Sequence, residues 1–317
     1  MSESPVNNIS ETMSSKDSSA TADDIFRIVL TLDHSGFFPA GGEDAVAFLR
    51  RVERLHSVAA ETEQLPANGV ELGKIVGFSV GEVSRMSKEI KDEAAEITMP
   101  LFAFRSDWVP AFFPKKGIGV LWGGCTVETE SGNPIFFLRN SFAKRKRWFI
   151  YNRSELLAHE LCHAVRGVLR DNEYEEHFAY MTSSSAFRRW MGNCFQHEWD
   201  AIVFTAPVFL LLLAQILIFS GVLKWPIYPF WILAMIWPIF LVVRNIHSRS
   251  IYFRTYHKLE EAGFSQVQAV MFRMTSEEIR MFSRLSADEL RAKLDSLSRQ
   301  ELRWRIITSL FQTGKDS

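Results

Sequence analysis

The sequence predicts an α+β fold in which a small β-sheet and its helices are followed by a transmembrane helical hairpin and a C-terminal helical segment. Three observations predict it. Gly117 to Tyr151 reads as short strands, the segments on either side have helical apolar spacing, and two long runs after residue 200 contain no Asp, Glu, Lys or Arg.

The elements follow in order. Met1 to Asp24 is rich in Ser, Thr, Asn, Asp and Glu and lacks the apolar run of about 7–15 residues found in a secretory signal. Residues 1–24 are therefore expected to be a disordered tail. The next unit is expected over 25–198. Within it, Asp44 to Glu63 and Gly69 to Ile97 have helical apolar spacing with charged outer faces. Ile118 to Trp122, Cys125 to Glu130, Ile135 to Arg139 and Trp148 to Tyr151 give three or four strands, with Ser131-Gly132-Asn133-Pro134 as a turn. The basic run Lys144-Arg145-Lys146-Arg147 reads as a solvated turn, with contact to anionic lipid headgroups as the alternative.

Ala201 to Ser220 and Trp225 to Val243 are the uncharged runs. A helix of about 20 residues spans about 30 Å, the hydrocarbon thickness of a bilayer. Gly221 to Lys224 are too few to cross back, so 201–243 is expected to be a hairpin in the bilayer with both outer ends on one side. Pro226 and Pro229 suit the start of its second helix, and Pro238 predicts a kink. Arg188, Arg189, Arg244, Arg249, Arg254 and Lys258 flank the outer ends, against Lys224 in the turn. The positive-inside rule then puts the globular part and both termini in the cytoplasm. A buried hairpin inside a soluble domain is the competing reading. Over 244–317, Thr275 with Glu278, Ser286 with Glu289 and Ser298 with Glu301 have capping-box spacing, which predicts short helices around a small core.

With 36 Lys+Arg against 37 Asp+Glu the net charge is −1, so no global field recruits nucleic acid, and no nucleic-acid partner is expected. Cys125, Cys162 and Cys194 are odd in number and widely spaced, which suits a reducing compartment.

The chemistry lies in His159-Glu160-Leu161-Cys162-His163, an HExxH sequence. It sits in Ser154 to Leu169, a proline-free segment with Ser154 as N-cap and Leu157, Leu161, Ala164, Val165 and Val168 as an apolar stripe. The motif is therefore on a helix. Residues four apart share a helix face, so both imidazoles reach one zinc ion while Glu160 projects toward a water beside it. Imidazole suits zinc, and a carboxylate is needed to take the proton of water attacking a carbonyl. With 8 His and 37 Asp+Glu, a random chain of this length shows the pattern about 0.02 times, so the spacing is a signal.

Catalytic zinc takes three protein ligands. Asn172 to Tyr180 offers Glu173, Glu175 and Glu176, with His177 as a minor candidate. Glu176 is the first choice, because Ala179 lets this helix pack closely and Tyr180 shares its face. Tyr180 and Tyr174 are candidates to donate to the oxyanion formed at the substrate carbonyl, with core packing as the alternative for each. Cys162 reads as a small buried apolar group. His197 and His247 read as solvated histidines near the membrane boundary.

An HExxH helix preceded by a β-hairpin and followed by a helix bearing a Glu resembles the zincin metallopeptidases of the gluzincin branch, over about Gly117 to Trp190. The resemblance implies a zincin-like domain, with Zn2+ held by His159, His163 and Glu176, Glu160 as general base, and a peptide or protein substrate. Ile135 to Leu138 resembles the strand that zincins place at the cleft edge, with an ordinary strand that meets no ligand as the equal alternative. Gluzincins typically carry a small residue three positions after the ligand Glu and an Asp four after it; here these are Ala179 and Tyr180, so the Asp is missing. Glu175 and Glu173 stay open as ligands. Glu260 and Glu261 also stay open, since heat-shock-type membrane gluzincins place the Glu helix after a membrane hairpin. Site-2-type intramembrane proteases carry the motif inside an apolar span. Here Lys144 to Arg147, Arg153, Arg166 and Arg170 border it, so the site is expected outside the bilayer and close to it. The expected function is a membrane-anchored zinc-dependent metalloendopeptidase. The second reading is a catalytically silent scaffold of the same fold that binds partners.

Overall fold

The computed structural model of the 317-residue chain describes residues 21–76, 81–115, 123–129, 132–196 and 198–313. The strand expected at Ile118 to Trp122, together with Glu130, Ser131 and His197, lies outside them. The fold is rich in helix with a small mixed sheet.

Helix α1 (Ala22–His34) starts inside the segment read as tail, on a capping box between Thr21 and Asp24. Helix α2 (Ala45–Glu63) is capped by Asp44, as its spacing implies. The single helix expected over Gly69 to Ile97 is instead α3 (Val70–Val76), strand β1 (Val83–Arg85) and α4 (Lys88–Phe102). The cause is tertiary: Val83 to Arg85 pair antiparallel with β2 (Ala111–Pro114), a partner that local periodicity cannot see.

Strands β3 (Gly124–Glu128) and β4 (Pro134–Leu138) form the expected hairpin, and β4 also pairs parallel with β2. Among the described residues the order β1-β2-β4-β3 makes β4 an interior strand and β3 an edge. This corrects the assignment of Ile135 to Leu138 to the cleft edge. Every residue of β4 is buried, the signature of a strand covered on both faces. Phe136 and Leu138 pack with Leu157 and Leu161 of the motif helix, while Ile135 and Phe137 pack with Leu72, Val83 and Phe112.

A tight ribbon, β5 (Arg147–Trp148) and β6 (Tyr151–Asn152), leads into α5 (Arg153–Arg166), which carries the motif. A 3-10 turn over Gly167–Leu169 ends it, so the regular helix stops short of the expected Leu169. Then come α6 (Glu175–Met181) and α7 (Ala186–Met191).

Helices α8 (Glu198–Phe219) and α9 (Tyr228–Glu261) are long and apolar enough to cross a membrane. Only 11% and 17% of their most apolar windows are buried, which removes the reading of a buried core hairpin. Their outer ends are tied together: Arg244 donates to Asp200 at 2.5 Å, and the Trp237 indole to the Asp200 carbonyl at 3.3 Å. Pro238 lies inside α9 without ending it. At 34 residues α9 is about 51 Å long. Its last part leaves the apolar region and buries Ile251, Tyr252, Thr255 and Leu259 in the globular core.

The chain closes with α10 (Val267–Phe272), α11 (Ser276–Arg284), α12 (Ala287–Gln300) and α13 (Leu302–Phe311). The boxes at Thr275/Glu278 and Ser286/Glu289 are formed. The third is not: α12 runs through Ser298, whose hydroxyl donates to the Asp295 carbonyl. These helices do not surround a core of their own. Phe272, Ile279, Phe282 and Trp304 share one cluster with Cys162 and Val165 of α5 and Phe178 of α6.

Buried ion pairs bind the two parts of the chain. Asp33 of α1 accepts from Arg273 at 2.6 and 3.0 Å, and Asp171 accepts from Arg166 of α5 and from the Ser276 backbone. Glu278 takes Arg303, the Trp304 indole and the Thr275 amide. Burial alone would raise the Glu278 carboxyl, but Arg303 and these hydrogen bonds hold it below the usual carboxylate value. The unfolded chain therefore takes up this proton first, and the stabilisation present above about pH 4.5 is lost as pH falls through the folded value. Thermal unfolding followed against pH should show the midpoint dropping on acidification below about pH 4.5. Glu278→Gln should lower the midpoint at neutral pH and flatten that acid limb; an unchanged limb would locate the proton elsewhere.

Candidate metal centre

Helix α5 is held from both ends. At its start Arg153 is buried and bidentate to Glu93, at 2.9 and 2.5 Å, and donates to the Phe142 carbonyl. Asn152, two residues before the expected Ser154, is the N-cap, its side chain accepting from the Ser154 amide. At its end Arg166 donates to the Phe272 carbonyl and lies over the Phe178 ring.

This fixed helix sets His159 and His163 one turn apart with their Nε2 atoms 3.2 Å from each other. Glu176, from α6, brings Oε2 to 3.8 Å from His159 Nε2 and Oε1 to 3.6 Å from His163 Nε2. Ligand atoms bound about 2.0–2.1 Å from one tetrahedral ion lie about 3.3 Å from each other; the imidazole pair is at that spacing, and the carboxylate comes close to it through a different oxygen for each histidine. One ligand atom from each of these three residues can be chosen so that all lie within 4.8 Å of one another.

The far side of the His163 imidazole is also engaged, with Glu175 Oε1 3.0 Å from His163 Nδ1. This partner leaves His163 Nε2 facing His159, the arrangement that orients metal-binding histidines. Burial, and then the neighbouring His163, hold the His159 imidazole down at about 3, so it is neutral at pH 7. Burial also opposes protonation of His163, but Glu175, Glu176 and Glu160 outweigh it and hold this imidazole at about 9.

Glu160 follows His159 and projects beside the triangle. Thr126 Oγ1, on edge strand β3, donates to Glu160 Oε2 at 2.7 Å. Burial pushes the Glu160 carboxyl up, against the pull of His163 and Thr126. Glu160, His163 and Glu176 line a cleft of about 800 Å³ with Thr126, Arg170 and Trp199. Trp199 is 71% exposed and begins the first apolar helix, so the cleft reaches the edge of the apolar hairpin.

The other candidates are distributed plainly. Tyr180 packs edge-on against His159, ring centroids 4.7 Å apart, and lines a small hollow with it. Tyr174 is fully buried and donates to the Ser248 carbonyl of α9, so it belongs to the core. His177 is buried against Tyr252 and stays apart from the cluster. Glu173 pairs with Arg280, Glu260 with His257, and Glu261 is exposed on the same far end of α9. Cys162 is fully buried and burial pushes its thiol up, in keeping with apolar packing. Two contributors carry no sequence signal: Thr126, and Gly192. A Cβ at Gly192 would stand 2.1 to 2.5 Å from Tyr180 atoms, so only glycine admits the tyrosine there.

Compared with known proteins, the chain matches no family model, no curated protein and no solved structure. The site therefore rests on its own geometry.

That geometry separates the two neighbouring glutamates. Glu176→Ala should weaken zinc binding more than Glu175→Ala, which removes only the hydrogen bond orienting His163 and is expected to cost about 10–100-fold in affinity. Competition against a chromophoric chelator reads both, and the reverse order would move the ligand to Glu175.

Proposed function

We propose that the chain is a zinc-dependent endopeptidase anchored in a membrane by the α8–α9 hairpin. The observation that carries this reading is the triangle of His159 Nε2, His163 Nε2 and the Glu176 carboxylate, with Glu160 beside it in an open cleft. His159, His163 and Glu176 would hold zinc. When bound, zinc supplies Lewis acidity that lowers the pKa of water and polarises a carbonyl.

The remaining work falls to the chain. Glu160 takes the proton from the attacking water and delivers it to the leaving amine. Thr126 fixes Oε2, which leaves Oε1 for that proton, and the raised affinity of the buried carboxyl for a proton suits a base that must also act as an acid. Tyr180, set against His159, is the proposed donor to the developing charge on the carbonyl oxygen. Strand β3 is an edge strand among the described residues, along which an extended peptide can add as a further strand. The likeness to gluzincins supports the same assignment, with Tyr180 standing where those enzymes carry an Asp.

Length, apolarity and exposure of α8 and α9 support the membrane anchor, and the Arg and Lys residues at their outer ends support a cytoplasmic globular domain. The decisive experiment uses the full chain purified in detergent and loaded with zinc. Cleavage of casein that phenanthroline stops and added zinc restores would support the reading. Zinc-loaded protein that cleaves no unfolded or membrane substrate would return it to the scaffold reading.

A further inference from the structure

We infer that the β5–β6 ribbon is a second membrane contact, whose tip enters the bilayer surface beside the hairpin and whose basic base meets anionic headgroups. The inference rests on reading α8 and α9 as membrane spans and is independent of the hydrolase chemistry.

The tip residues are Phe149 and Ile150, 86% and 60% exposed. Two-residue turns in such ribbons ordinarily place Gly, Asn or Asp at positive φ. Here the first position is Phe149, at φ 52°, a strained conformation for a bulky aromatic whose side chain is 86% exposed and meets the adjacent Trp148 ring at 6.4 Å between centroids. The ribbon below the tip is rigid. Arg139 lies over Trp148, Trp148 stacks on Tyr151, and Arg188 lies over Tyr151. The tip is thus held out, not left loose.

Its height relative to the bilayer follows from its neighbours. Arg188 of α7 donates to the Ile150 carbonyl at 2.6 Å. The next carbonyls of α7, Arg189 and Trp190, accept from Arg249 and Asn245 of α9. Those two residues come two and six positions after Val243, where the uncharged run ends, within about two helical turns of it, so α7 lies at the level of the headgroups. Phe187 on α7 is 71% exposed at the same level. An exposed apolar tip, an aromatic beside it and a continuous connection to the hairpin fit an interfacial anchor. Charge agrees: Lys144, Arg145 and Arg147 are exposed at the base of the ribbon and have no ion-pair partner among the described residues.

The consequence is orientation. Helix α5 begins at Arg153, directly after the ribbon, so docking the tip adds a second fixed point to the one α9 supplies and sets which way the cleft faces.

The test uses the full chain reconstituted in vesicles, with a polarity-sensitive fluorophore on Phe149→Cys, Ile150→Cys, Leu212→Cys within α8, or Arg291→Cys on exposed α12. Labelled parent protein gives the blank for Cys125, Cys162 and Cys194. Positions 149 and 150 should be quenched by chain-brominated lipid and shielded from iodide, as position 212 is, with position 291 showing the opposite. Positions 149 and 150 behaving like 291 while 212 stays lipid-exposed would overturn the second contact alone. Position 212 behaving like 291 would overturn the spanning hairpin and this contact with it. Vesicles without anionic lipid should give weaker quenching at 149; equal quenching would overturn the role of the basic residues.

Discussion

Glu160→Gln is expected to leave the zinc content of the protein unchanged and to lower kcat for peptide hydrolysis by roughly 10²–10⁴-fold, the usual contribution of a general base. Gln keeps the shape of the side chain and an oxygen able to accept from Thr126. It cannot take a proton from water, so only the proton-transfer part of the rate is lost. Substrate binding along β3 and in the cleft does not depend on that proton, and KM should change little. Elemental analysis together with a steady-state peptide assay reads both quantities. Hydrolysis at the parental rate would remove Glu160 as the base, and loss of zinc would move it into the ligand set.

The largest effect on stability is expected at Arg273. Its guanidinium is fully buried, donates to both Asp33 oxygens and to the carbonyls of Phe102 and Ala269, and lies between the rings of Phe38 and Phe311. Arg273→Met keeps most of the volume but strands a buried carboxylate, for which about 3–5 kcal/mol is the expected loss. Denaturant unfolding of the detergent-solubilised chain measures it. Adding Asp33→Asn should recover part of the loss, because a neutral amide is cheaper to bury unpaired than a charge. A double variant as unstable as the single one would show that packing, not the stranded charge, sets the cost.

Local chemistry made some of this molecule legible and global pairing hid the rest. The phase of α5, the lengths of the apolar runs and the Thr275 and Ser286 boxes are written in residues three, four or twenty positions apart, and they reappear at their places. The choice between Glu175 and Glu176 is of another kind. Neighbours on a helix differ by about 100° in direction, and the approach of α6 depends on the turn at Arg170, whose φ of 51° no motif announces. Thr126 reaches Glu160 from 34 positions away, and β4 is interior only because β2 pairs with it. The longest reach, from Asp33 to Arg273, made a C-terminal region that reads as separate into half of a common core.

That reach has a consequence for how the protein is made. Asp33 leaves the ribosome 240 residues before Arg273. At about 5–20 residues per second the two are separated by roughly 10–50 s, during which both apolar helices are synthesised. The early half of the fold must wait, without its partner helices, until both apolar helices have been made. The helix bearing His159 and His163 therefore gains its last support, the Phe272 carbonyl that accepts from Arg166, only after both long apolar helices exist.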